Sequence, residues 1–452
     1  TFDGSFTLTH RKGAGNRDGI TAGIETSTTY NSFIEAMSEM RSDITSGINL
    51  DYWTGSLPDV TGRPTRIEYN GNQSDYESFV YECCGLAEHR ARNASITKYK
   101  RDGMKRVYGT ESYRYTSDPA PILTATTFSG LTTTTTRGGI FLSEETLDLN
   151  GEIVSSKSPD QDGDSQPELT STSYSGTSVT TITNPDGGTE IRTTYLDGQL
   201  KSITGTAVPD VYYNYATAAL SSANGIVTTT FLSSASSSEW KKTYTDALGR
   251  VAKVEFPATA PATAIPTINY VYFPATAAKG SITKLQSLTD ADGKISSYLY
   301  NSEGERTTTT EQMPHAQSRV TLMTRDVVND DAIGPCLRST TSINGTFVST
   351  NLQSVDGLVT RSITHAGITT TVKSISTING DSTTTTTFPD VTQKLSSTTG
   401  NLLTGVAEVS STGAQLTATG YGYDALRRVE TITDARTGAT AFSNYTDAGQ
   451  AR

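Results

Sequence analysis

The most chemically pointed stretch of the chain is Asp160-Gln-Asp-Gly-Asp-Ser-Gln-Pro-Glu168. Its carboxylates fall at positions one, three, five and nine of a loop. A hard cation such as Ca2+ gathers six to eight oxygens, and alternating aspartates in a tight loop supply them. Asp160, Asp162, Asp164 and Glu168 are therefore the candidate metal ligands, with Ca2+ as the candidate cofactor. The loop departs from the EF-hand pattern, with Ser165 at position six and Ser171 at position twelve, where glycine and glutamate are required. A solvated acidic turn between two strands is the competing reading.

Other reactive side chains are scattered. Cys83-Cys84 could form a redox pair or half of a zinc site, but zinc takes about four ligands. No second Cys pair or His pair lies at suitable spacing, so two small residues beside a turn is the better reading. His10, His89, His315 and His365 stand far apart. A nucleophilic triad needs serine, histidine and carboxylate together, and no Gly-x-Ser-x-Gly elbow occurs. Phosphate-cradling and dinucleotide fingerprints are also missing. No catalytic or cofactor-binding residue is assigned beyond the calcium candidates, and the chain is not expected to be an enzyme.

Bulk composition narrows the field. Net charge is −11 over 452 residues, so nucleic acid is a poor partner, because that affinity comes from neutralising phosphates. Hydrophobic content of 34% and charged content of 18% are both low, and Thr, Ser and Gly fill the gap. A thin sheet with much wet surface fits better than one thick core. Disorder is countered by 22 Tyr, 12 Phe and many β-branched residues. The three cysteines imply no disulfide framework. No apolar run approaches a membrane span and no signal peptide is visible. The chain opens on Thr1 and stops inside a repeat, which reads as a segment of a longer protein.

The elements that must carry these residues are repeats. Tyr244-Thr-Asp-Ala-Leu-Gly-Arg-Val-Ala-Lys-Val-Glu-Phe256 returns as Tyr421-Gly-Tyr-Asp-Ala-Leu-Arg-Arg-Val-Glu-Thr-Ile432, as Tyr298-Leu-Tyr-Asn-Ser-Glu-Gly-Glu-Arg306 and as Tyr445-Thr-Asp-Ala-Gly-Gln-Ala-Arg452. Tyrosine ends a strand, Asp or Asn starts a turn, and glycine supplies positive φ. Beyond it, Ala252, Val254 and Phe256 alternate with Val251, Lys253 and Glu255, a period of two and hence a strand. Turn glycines at Gly151, Gly163, Gly188 and Gly198 keep a spacing of about ten to twelve, which suits short antiparallel strands. The pair Gly85 and Gly103 marks two more turns.

This unit resembles the YD repeat of the RHS family, which includes toxin-complex shell proteins, a bacterial wall-associated protein and the teneurins. The resemblance runs from Tyr30 to Arg452 with a weak middle. It implies an all-β fold, a long antiparallel sheet of β-hairpin repeats winding as a spiral, in which neighbouring repeats supply most of the stability. It also implies a secreted or cell-surface protein, forming part of a hollow β-shell around an enclosed polypeptide cargo. The alternative is an extracellular fibre or adhesion stalk of stacked hairpins that binds a partner or neighbouring copies of itself. The family's autoproteolytic Asp-Pro-x-Gly segment has no match, since Asp118-Pro119-Ala120-Pro121 departs from it, so neither self-cleavage nor toxicity carries over.

Within that frame, residues 1–60 read as irregular N-terminal repeats, 61–257 as hairpin repeats, 258–280 as an Ala/Thr/Pro-rich insertion and 281–452 as further repeats. A second break is expected near Val328–Leu337. Asn31-Ser-Phe-Ile-Glu-Ala-Met-Ser-Glu-Met-Arg41 fits either a helix, with Ser32 and Glu35 at capping-box spacing, or a worn repeat with Ile34 in the glycine position. The runs Thr132–Thr136 and Thr383–Thr387 favour strand and should be paired rather than left at an edge.

Overall fold

The computed structural model describes residues 5–16, 19–83, 85–161, 166–176, 178–220, 224–258, 264–278, 280–312, 318–376 and 378–442. These residues form one sheet of 36 strands, and no helix occurs among them. Each strand pairs antiparallel with the next in sequence, from Phe6–Asn16 against Gly19–Tyr30 to Val429–Asp434 against Gly438–Ala441. This is the all-β hairpin sheet expected from the repeats. The meander puts every turn that follows an even-numbered strand on one edge of the sheet, here the even edge. Turns after odd-numbered strands form the odd edge.

The sheet is one layer thick, as the low apolar content requires. Most strand residues are half-buried, and the fully buried apolar side chains are few: Leu50, Ala94, Ile96, Ile122, Val254, Cys336 and Leu352. Cohesion comes from the ladder, cross-strand side-chain pairs and the turns. Threonines pair directly across strands, Thr132 with Thr146 at 3.0 Å and Thr371 with Thr386 at 3.0 Å between hydroxyl oxygens. Both Thr runs sit in strands paired on each side, which removes the open edge such sequences would otherwise offer.

The repeat unit resolves into a defined five-residue turn. In Asp246-Ala-Leu-Gly-Arg250 the Asp246 carboxylate accepts from the backbone N–H of Leu248 and of Arg250, each at 2.9 Å, and from Arg250 Nε at 2.8 Å. Gly249 takes φ 78°, and its N–H donates to the Asp246 carbonyl. Asp424-Ala-Leu-Arg-Arg428 repeats every one of these bonds, with Arg427 at φ 64° in the glycine position. Asp59-Val-Thr-Gly-Arg63 and Asp102-Gly-Met-Lys-Arg106 do likewise. In the last, Lys105 and not Gly103 carries the left-handed backbone, and in Asn184–Gly188 it is Gly187 rather than Gly188.

In three of these turns the closing arginine then reaches the next hairpin. Arg63 lies 4.0 Å from the Tyr81 ring, Arg106 4.1 Å from Phe128 and Arg250 4.3 Å from Tyr272, each aromatic being two strands further on. Tyrosines also donate to the carbonyl of the preceding strand: Tyr272 and Tyr300, at strand ends, to Val251 and Leu285, and Tyr215, in mid-strand, to Leu200, all at 2.9 Å. Aspartate shapes the turn, arginine bridges and tyrosine receives, so the unit registers one hairpin on the last. Asp246→Ala removes the acceptor for three donors and is expected to cost about 1–2 kcal/mol, read as a lowered unfolding midpoint. Asp246→Asn, which keeps one acceptor oxygen, should cost less.

The stretch Asn31–Arg41 follows the worn-repeat reading, and the helix reading is overturned. Asn31 Oδ1 accepts from the backbone N–H of Phe33 and Glu35, Ile34 takes φ 64°, and Ala36–Asp43 is a strand. The capping-box spacing of Ser32 and Glu35 loses to a turn whose donors one asparagine already satisfies. Near Val328–Leu337 the sheet is continuous: Ser318–Asp330 and Gly334–Ile343 form a hairpin. Strand Thr267–Tyr272 runs inside 258–280 and pairs on both sides.

Candidate functional site: the seam between windings

The sheet returns to itself. Asn401, in the turn after the thirty-second strand, donates from Nδ2 to the carbonyls of Asn93 at 3.0 Å and Arg114 at 2.6 Å, residues 308 and 287 positions earlier. Arg427 Nη2, after the thirty-fourth strand, donates to the Ser112 carbonyl at 2.8 Å and pairs with Asp118 at 3.1 Å. Leu426 occupies the space over Gly138, where an added Cβ would come within 2.2 Å of its Cδ2. Asn93, Arg114–Asp118 and Gly138 lie in turns after the seventh, ninth and eleventh strands. The odd edge of the first winding thus receives the even edge of the second, and the spiral expected from the repeats is present as a closed seam.

Asp118 is the centre of this seam. Its side chain is 0% exposed. It accepts from the Arg114 backbone at 2.8 Å, Arg114 Nη2 at 3.0 Å and the Ala120 backbone at 3.3 Å, besides Arg427. Burial pushes the carboxyl pKa up, but these hydrogen bonds outweigh it and hold it at about 2. For Arg427, burial lowers the pKa, and Asp118 opposes that shift. The result is a charged, desolvated latch between residues 309 positions apart.

Among the described residues, a second approach of the windings forms a half-open cleft of about 1020 Å³, lined by Asp43, Thr45 and Ser46 from the early strands and by Glu303, Arg325, Arg338 and Leu352, among others, from the later ones. Its charges are largely paired: Arg41 with Asp51 at 3.1 Å, Arg325 with Glu305 at 2.9 Å and Arg338 with Asp326 at 2.5 Å. The Glu303 pKa is raised, first by burial, then by Glu305 and Asp43, with Lys12 opposing.

The calcium candidates are only partly placed. Asp160 is buried, and Glu168 begins the strand Glu168–Ser175 and accepts from the Gln161 backbone at 3.2 Å. Asp162 and Asp164 lie outside the described residues. No cluster of three or more potential ligands occurs among the described residues. Cys83 sits exposed in a turn, and Cys84 lies outside the described residues. His89 stacks on Phe79 with centroids 4.9 Å apart and faces Glu77 at 3.4 Å. His365 bonds the Phe347 carbonyl at 2.6 Å. Both histidines serve cross-strand packing, while His315 lies outside the described residues.

Sequence reading missed Asp118 and Arg427.

No protein-family model matches the chain, and no characterised protein sequence does. Solved structures do. A crystal structure of TcdB2-TccC3 is similar over 97% of this chain at 12% identity, with a TM-score of 0.42. A crystal structure of TcdB2-TccC3-Cdc42 is similar over 95% at 11% and 0.41, and the Photorhabdus luminescens Tc holotoxin pore carrying TccC3-D651A over 98% at 11% and 0.40. The chain spans about a quarter of those chains, at 28%, 23% and 24% of their lengths. At this identity the likeness concerns architecture alone, which the strand pairing establishes by itself. No helix among the described residues is long and apolar enough to cross a membrane.

Proposed function

We propose that this chain is a stretch of wall in a secreted or cell-surface protein of RHS type, whose coiled β-sheet surrounds a polypeptide cargo. The observation that carries this reading is the seam at Asp118 and Arg427. A ribbon used as a fibre needs contacts only between consecutive hairpins, whereas this sheet spends a buried ion pair on joining hairpins 309 residues apart. The thin layer, with few fully buried side chains, fits a wall with water on both sides. The role is structural and not enzymatic. Negative-stain images and small-angle scattering of the chain should show a short, wide body with a low-density centre. An elongated rod would instead support the stalk of stacked hairpins.

Calcium at Asp160, Asp162, Asp164 and Glu168 belongs to the same proposal. Added Ca2+ should raise the melting temperature and protect the 160–168 loop from protease, and Asp162→Asn should abolish both effects. Identical melting curves and cleavage with Ca2+ and with a chelator would assign the loop to a plain acidic turn.

A further inference from the structure

The cleft between the windings is floored by one face of the sheet. Strand register lines up two rows there: Val327 faces Leu337, which faces Gln353, and Arg325 faces Ser339, which faces Asn351. Hydroxyl side chains continue both rows over the next two strands, and all of these residues line the cleft. The floor therefore crosses five strands, from Ser318–Asp330 to Gly367–Ile375. Four steps of about 4.8 Å make it about 19 Å long, the span of about five or six extended residues. Its volume of about 1020 Å³ is that of a ligand site. Both walls come from strands within this chain, so the cleft does not depend on either rim.

The floor changes character along its length. Val327 and Leu337 make an apolar start, and Leu337 is half-exposed. The side-chain amides of Asn351 and Gln353 follow, both exposed and bound to no other side chain among the described residues. Each amide offers donors and an acceptor, which is what a peptide backbone needs. The arginines are satisfied, Arg325 by Glu305, Arg338 by Asp326 and Arg361 by Asp330. At the Arg325 end two half-buried carboxylates form no ion pair among the described residues. The Asp43 side chain accepts from Ser46, and the Glu303 carboxylate meets the Asn301 amide at 3.5 Å. They come from opposite windings. Burial, then Glu305, then Asp43 hold the Glu303 carboxyl above its ordinary range, and Lys12 opposes them. Acid facing acid beside an apolar floor is the charge complement of a basic side chain next to an apolar one.

We propose that this cleft binds an extended polypeptide segment, with a lysine or arginine entering between Asp43 and Glu303 and a neighbouring apolar side chain resting on Val327 and Leu337. The amides of Asn351 and Gln353 take its backbone groups. The guest cation neutralises like charges that face each other across the windings, so binding also stabilises the coil. The inference rests on the coiled-wall reading, since only the coil brings Asp43 and Glu303 together.

Fluorescence anisotropy with the full chain tests this, with scattering on the same samples to report whether the chain is coiled. The probes are the dansyl-labelled hexapeptide Ser-Lys-Leu-Ser-Thr-Ser and its counterparts carrying glutamine or glutamate in place of lysine. The lysine peptide should bind at least about tenfold more tightly than the glutamine peptide, and the glutamate peptide most weakly. Glu303→Gln should bring the lysine peptide to the level of the glutamine peptide. Leu337→Thr should weaken both, with a melting curve close to the parent's because Leu337 is half-exposed. A coiled chain that binds none of the peptides, binds all three alike, or binds the lysine peptide equally well as Glu303→Gln would overturn the proposal and leave the coil standing. A chain with the scattering of an extended ribbon would overturn both.

Discussion

Replacing Asp118 with alanine should destabilise the chain by about 3 kcal/mol and open the seam, because it leaves Arg427 desolvated without its partner. The pair itself need not be a large net gain, since taking two charges out of water costs nearly what their attraction returns. Breaking it from one side is different: Arg427 keeps only the Ser112 carbonyl, and Arg114 loses its carboxylate. Arg427→Gly restores the glycine seen in the sister turn at Gly249 and should cost less, because it also relieves a left-handed arginine. In the double variant the effects should fall well short of additive, and a coupling energy above about 1 kcal/mol would identify a direct pair. The pH dependence follows from the lowered carboxyl pKa of about 2. A depressed folded-state pKa gives stability that is complete above the unfolded carboxyl value and is lost as pH falls toward 2. The latch should therefore hold through the mildly acidic range and release only in strong acid.

Gly205→Ala should cost about 3 kcal/mol, combining left-handed strain with a clash that cannot relax. Gly205 has φ 140°, and a Cβ there would sit 2.1 Å from the Thr189 backbone oxygen. That oxygen belongs to the strand Thr189–Thr194, paired across the same hairpin, so the ladder itself would have to move. Gly249→Ala is the control. At φ 78° with nothing within 4 Å, it should cost only about 1 kcal/mol, the price of a left-handed L-residue. Ile34, Lys105, Val391 and Arg427 occupy the equivalent position naturally at φ between 64° and 68°. Equal losses at Gly205 and Gly249 would refute the distinction.

The two glycines also show how much the sequence discloses. The Tyr-Asp-x-x-Gly-Arg unit announces strand, turn and strand, because each residue type has a local job within five positions. Local jobs are legible in one dimension, and the all-β hairpin sheet follows. They are weaker where one residue substitutes for another, as Asn31 and Ile34 do while imitating a helix start. What is not local is hidden. Asp118 looks like a loop aspartate before proline, and nothing nearby says that its partner comes 309 residues later. Gly205 looks like any turn glycine, although its neighbour across the hairpin decides its importance. The calcium candidates illustrate a third limit: loop spacing gives a possible donor set, and only the positions of all four carboxylates could make it a site.

The coil itself can be measured by distance. Spin labels at Ser117 and Ala425, both exposed beside the seam, lie in turns after the ninth and thirty-fourth strands. In an uncoiled ribbon, some 25 strands at about 4.8 Å each would separate them by about 120 Å. With the native cysteines replaced, pulsed dipolar spectroscopy should return one narrow, short distance that lengthens in Asp118→Ala. A distribution lying wholly beyond the measurable range in the parent chain would contradict the coiled sheet.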